Sequence, residues 1–164
     1  MKLGRAQPGK GDPGLSLILF RVSSHLLAVE AMQVDEIRDS EGLTPLFLPA
    51  AAAKVRFTFA KHGVDYFVVD AAYHYHLSAG RAQNLMVLRG LPVAVLAESI
   101  DRMCQAGPLL PLPAAFCGEE RQWYRGLVVV DGAVVPVINT ESFLGAVELE
   151  HLQRRAALQR GVAR

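Results

Sequence analysis

The chain has 164 residues, 51% hydrophobic and 20% charged, and its 17 Lys and Arg against 16 Asp and Glu give a formal net charge of +1. That length and apolar content suffice for one folded domain, or for two small lobes sharing a core, and they exclude disorder along the whole chain. The even charge balance speaks against a general nucleic-acid binder, which carries a basic excess.

Residues 1–14 hold Gly4, Pro8, Gly9, Gly11, Pro13 and Gly14 and almost nothing apolar. A flexible leader is expected there, and without an apolar stretch it is not a signal peptide. Leu15–Val22 is too short to span a bilayer and is broken by Arg21, so a soluble, cytoplasmic protein without membrane insertion is expected. Four strand–turn–strand units follow in order: Leu15–Val22 with His25–Val29, Val55–Ala60 with Val64–Val69, Asn84–Leu88 with Leu91–Leu96, and Trp123–Val130 with Ala133–Ile138. Asp131-Gly132 is a strong turn signal, because Asp-Gly supplies the positive φ of a type I′ turn, whereas Ser23-Ser24 lacks a glycine. Pro92 and Pro136 predict edge strands or strand starts at those positions. From Val147 to Arg160 there is no turn residue until the end, Leu149, Leu152 and Ala156 recur at helical spacing, and Glu150 precedes Arg154 by four. A terminal helix docked by its Leu face is predicted, with Arg154, Arg155 and Arg160 solvated.

The two halves resemble each other. At an offset of 66, Ala28, Val29, Ala31, Val34, Asp35 and Ile37 meet Ala94, Val95, Ala97, Ile100, Asp101 and Met103. A proline-spaced apolar segment follows in each half, Leu43–Pro49 and Pro108–Pro113, then a hairpin and a short helical stretch, Ala71–Leu77 and Thr140–Leu144. This order, repeated, predicts a mainly β protein of two similar five-stranded β-barrel lobes packed together, with short connecting helices and a C-terminal helix. The domain boundaries are 15–145, with lobes of roughly 15–82 and 83–145, and a helix or tail at 146–164.

Few residues suggest chemistry. Cys104 and Cys117 make neither a disulfide framework nor a four-cysteine zinc site and read as free thiols. His74-Tyr75-His76 would place two rings on one face of a strand, with Asp70 as the only nearby third ligand, but the segment also reads as a short helix, where i and i+2 diverge. Surface histidines are the reading adopted, for His62 as well. No G-x-S-x-G, H-E-x-x-H or phosphate-loop pattern is present,. The expectation is a binding module with no hydrolase or transferase activity, no metal and no cofactor. The alternative is a metal- or ligand-binding enzyme with its site between the lobes.

With these residues in view, the chain resembles the CheW-like chemotaxis coupling proteins over roughly Leu15 to Leu144. LILFRV and LAVEAMQVDEIRD are similar to the family's first strands and its V-x-E-I segment, here Val34, Glu36 and Ile37. Gly63–Asp70 is similar to its G-x-x-x-P-V-x-D element, and Val93–Met103 to its second-lobe V-x-x-V-D-x-V segment. Trp123–Leu144 is similar to the closing pattern of aromatic residue, Gly, strand, Asp-Gly turn, apolar strand and short helix. The resemblance implies two packed five-stranded barrels and a non-catalytic adaptor between a chemoreceptor's cytoplasmic tip and the regulatory domain of a CheA-type histidine kinase, held at receptor arrays through its partners. It places Val34, Glu36 and the Lys61-His62-Gly63 turn in a partner-facing groove, and Trp123 and Tyr124 are candidate interface anchors. Departures are Ala60-Lys61-His62-Gly63 in place of N-L-R-G, Phe67 at the proline position and Glu98 at the second-lobe aspartate. Imidazole at position 62 lacks the five-donor fork of guanidinium.

Overall fold

Each half of the chain contributes strands to two sheets. The computed structural model describes residues 14–48 and 54–162. The leader expected over residues 1–14 therefore lies, apart from Gly14, outside the described residues. Strands β1 (Leu15–Val22) and β2 (His25–Glu30) form the first hairpin, and a 3-10 turn at Ala31–Gln33 leads to β3 (Val34–Asp39). Then come β4 (Thr44–Pro45), β5 (Val55–Lys61), β6 (Val64–Asp70), α1 (Ala71–His74), β7 (Asn84–Leu88), β8 (Val93–Ala97) and β9 (Ser99–Ala106). The chain closes with α2 (Glu120–Trp123), β10 (Tyr124–Val130), β11 (Ala133–Ile138), a 3-10 turn at Thr140–Ser142 and α3 (Ala146–Val162). The first sheet has the order β10-β11-β2-β1-β9 and the second β3-β7-β8-β6-β5-β4.

All four expected hairpins form. The Ser23-Ser24 turn has φ of 49° and 62°, so two serines adopt the left-handed conformation that His62-Gly63 and Asp131-Gly132 also use. Pro92 directly precedes β8, as expected. Pro136 departs from expectation, since it lies inside the interior strand β11. The missing N–H is tolerated because the parallel contact of β11 with β2 is a single register pair, Val137 with Ala28,.

The repeat read from the sequence is structural, but the lobe boundary at 82/83 is not where the sheets divide. Matching β1, β2, β3, β5 and β6 to β7, β8, β9, β10 and β11 turns one sheet order into the other. The first hairpin of each half sits in one sheet, and its remaining strands sit in the other. A hairpin alone has no second surface on which to bury its apolar faces, and each half supplies the other's. Even the irregularities repeat. Asp35 and Asp101 are the residues skipped at β-bulges in β3 and β9, and Arg56 and Arg125 are skipped in β5 and β10. The two-residue strand β4, which pairs Thr44 with Thr58, has as its counterpart an isolated bridge between Leu110 and Leu127.

Three apolar clusters follow from this layout. One fills the space between the sheets, where Phe20, Val29, Phe67, Val69, Met86, Leu88, Val95 and Phe143 meet. Leu17, Leu19, Ala28, Val128, Val135 and Val137 line the inside of the first sheet, and Phe59, Val68, Leu85, Val87, Ala94 and Leu96 the inside of the second. Strands β1, β7 and β8 thus bury both faces, which is why they read as unbroken apolar runs instead of alternating. The sheets curl, and their far edges meet through side chains: Lys61 on β5 reaches Asp35 and Glu36 on β3, and Arg38 on β3 lies 5.1 Å above the Phe59 ring. Helix α3 docks through Leu149, Leu152 and Ala156, the residues its spacing singled out. Arg160 is not simply solvated, since it pairs with Asp65 at 2.7 Å.

Candidate partner-binding surface

At one corner of the second sheet, the bulge at Asp35 turns its carboxylate and that of Glu36 toward the end of β5. Lys61 Nζ donates to Asp35 at 2.8 Å and to Glu36 at 2.7 Å. These two hydrogen-bonded carboxylates hold the ammonium above the ordinary lysine range, and the Lys61 hydrogen bond in turn holds the Asp35 carboxyl below the usual carboxylate range. The pairs are open to solvent, so they fix side-chain geometry more than they stabilise the fold. His62 and Gly63 follow at once in a turn with φ of 50° and 78° that leaves the imidazole exposed. Ile37 and Val64 add exposed apolar surface, and Arg89 donates to the Val34 carbonyl at 3.4 Å.

The structure brings Glu36, Lys61, His62 and Gly63 together and corrects the placement of Val34. Its side chain is 7% exposed and belongs to the cluster between the sheets, so only its carbonyl reaches this corner. Strand β3 starts at Val34 before the bulge, and pairing with Leu88 directs the side chain inward. Sequence reasoning missed Arg89 and the ion-pairing role of Asp35. The match of Asp35 to Asp101 was the available signal, because both are bulge residues.

Trp123 and Tyr124 lie elsewhere, half-buried where α2 runs into β10. Trp123 stands 5.6 Å from both His74 and His76, and Tyr124 stacks on Tyr75 at 5.8 Å. They fill the junction between the sheets as much as they present a surface. His74 corrects the expectation of surface histidines, since it is 8% exposed. Asp70, the supposed third metal ligand, is occupied: it accepts from the Ala72 and Tyr73 amides as the α1 cap and pairs with Arg56 at 3.2 Å. Among the described residues, no three His, Cys, Asp or Glu come together as a metal site.

The first sheet carries the equivalent corner. Arg102, the counterpart of Glu36, pairs with Asp131 in the β10–β11 turn, which is the counterpart of His62. Around it stand Met103, Val129 and Val134, exposed by 64%, 50% and 61%. Val129 and Val134 are directly opposite each other on neighbouring strands.

No family profile and no curated protein matches the sequence. Among solved structures, the chain has the fold of the scaffolding protein CheW of Thermoanaerobacter tengcongensis, at TM-score 0.67 and 10% identity, covering 81% of this chain and 94% of that one. The fold is therefore CheW-like: mainly β, with two sheets and a C-terminal helix. No described helix is long and apolar enough to cross a membrane.

Proposed function

We propose that the chain is a non-catalytic adaptor that couples chemoreceptors to a CheA-type histidine kinase. The observation that carries this reading is the extent of the fold match: the chain aligns in structure with 94% of the chain of a scaffolding protein. The surfaces are consistent with it. In this reading, the corner of Glu36, Lys61, His62 and Gly63 receives the receptor tip. Its mixed charges beside Ile37 and Val64 suit an amphipathic helix laid across the surface. The other corner, with Met103, Val129 and Val134 around Arg102–Asp131, receives the kinase regulatory domain, and Trp123 and Tyr124 brace the strand beneath. The protein acts in the cytoplasm, held at receptor arrays by its partners, without cofactor or metal. The commitment of Asp70 to its cap and to Arg56 removes the third ligand on which the metal-site version of the enzyme alternative relied.

Calorimetry of the whole chain against the kinase's C-terminal regulatory domain and against a receptor-tip fragment tests this. Affinities tighter than about 1 mM, equivalent to roughly 4 kcal/mol, are expected for each, and weaker binding to both contradicts the reading. His62→Arg restores a planar fork and is expected to leave receptor binding equal or stronger.

A further inference from the structure

His74 ends α1, which follows the last strand of the first half's β5–β6 hairpin in the second sheet. The rings packed on it come largely from the other side of the junction: Trp123 at 5.6 Å, from the segment leading into the first sheet, and Phe143 at 4.8 Å, from the segment leaving it. Tyr75 completes the enclosure edge-on at 4.8 Å. Within it, His74 Nε2 and the Tyr75 hydroxyl are both buried and have no hydrogen-bond partner. An unpartnered imidazole nitrogen is tolerable while the ring is neutral. A second N–H on a charged ring at that place would be a desolvated cation whose new donor has no acceptor.

We propose that the junction between the two sheets is an acid-released latch centred on His74, whose protonation expels α1 from the Trp123 and Phe143 side while leaving the sheets themselves intact. The groups facing the ring from the surrounding elements leave the charge poorly compensated. From α3, Glu148 favours it, but Glu148 is paired with Lys54, ahead of β5, at 3.1 Å, and Lys54 opposes it. His76, just beyond α1, also opposes it, and Tyr75 and Tyr124 carry phenols that burial keeps neutral. Within its own helix, Asp70 is turned to the N-terminal amides and to Arg56. Burial pushes the imidazole down to about 4, from an ordinary value of 6.5. The depressed pKa sets the direction. Stability from the neutral ring is complete above pH 6.5 and drains away as pH falls toward about 4.

Trp123 is the only tryptophan of the chain and reports the junction directly. The experiment follows its emission maximum, alongside far-UV circular dichroism, from pH 7.5 to 4 in the wild type, in His74→Phe and in His76→Gln. The expected result is a red shift below pH 6.5 in the wild type and in His76→Gln, with the β signal retained, and no such shift in His74→Phe. A shift of equal size in His74→Phe, or one that appears only as the β signal collapses, overturns the proposal. Should His74→Phe fail to fold, the ring resonances of His74 in the wild type decide: a titration well below 6.5 supports the latch, and one at or above 6.5 overturns it.

Discussion

The two equivalent corners of this molecule share a backbone and differ in almost everything else. On the second sheet, a carboxylate-bearing strand meets a lysine, Glu36 with Lys61, and on the first the charges are exchanged, Arg102 with Asp131. Ile37 and Met103 correspond, but Ala60 becomes Val129 and Asp65 becomes Val134, so the first corner exposes a pair of valines where the second pairs an alanine with an aspartate. Asp65 is in addition engaged by Arg160 from α3, which shields that side of the second sheet. A duplicated scaffold whose corners place their paired charges the other way round and are unequally apolar is suited to presenting two different surfaces, since the position of each charge selects or rejects a partner,.

The sharpest way to break the comparison is at its first matched pair. Val34 is buried and its counterpart Ile100 is only half-buried. Val34→Asp places an unpaired carboxylate between the sheets and is expected to cost about 3–5 kcal/mol or to unfold the domain. Ile100→Asp is expected to cost clearly less, and thermal melts of both variants check the order. Gly126→Ala comes next. A Cβ there runs into the Leu110 carbonyl and the Leu109 side chain, whereas the counterpart position carries Phe57. A loss of about 1–3 kcal/mol is expected in denaturant titrations.

Smaller effects sharpen the contrast between the corners. Lys61→Ala and Arg102→Ala each break solvent-exposed pairs and are expected to change stability by less than about 1 kcal/mol. The smallest effect concerns Ser24. It stands 66 positions before Gly90, both at the second residue of a turn with positive φ, 62° and 74°. Ser24→Gly removes a left-handed serine and is expected to raise stability by about 0.5–1 kcal/mol, measured as a higher melting temperature.

Much of this fold could be read from residues. The four hairpins, the α3 docking face and the repeat were legible because apolar runs and turn residues are local signals. The exchange of strands between halves was not. Nothing in Ala31–Gln33 or at Glu98 says which sheet the next strand will join, since that depends on which half supplies the missing apolar surface. Val34 was misplaced for a related reason. The resemblance places it in the groove, and alternation cannot correct this, because the bulge at Asp35 breaks the period of two right beside it,. His74 was taken as exposed because a histidine in a short segment carries no mark of the aromatic rings that α2 and the Thr140–Ser142 turn bring to it from far along the chain.

The most direct test of the adaptor account crosses the two corners with the two partners. Lys61→Glu and Arg102→Glu are each titrated by calorimetry against the receptor tip and the kinase regulatory domain, with melting temperatures confirming that both variants are folded. The account expects Lys61→Glu to weaken receptor binding at least tenfold with kinase binding unchanged, and Arg102→Glu to do the reverse. Variants that affect both partners alike, or a wild type that binds neither more tightly than about 1 mM, would contradict it.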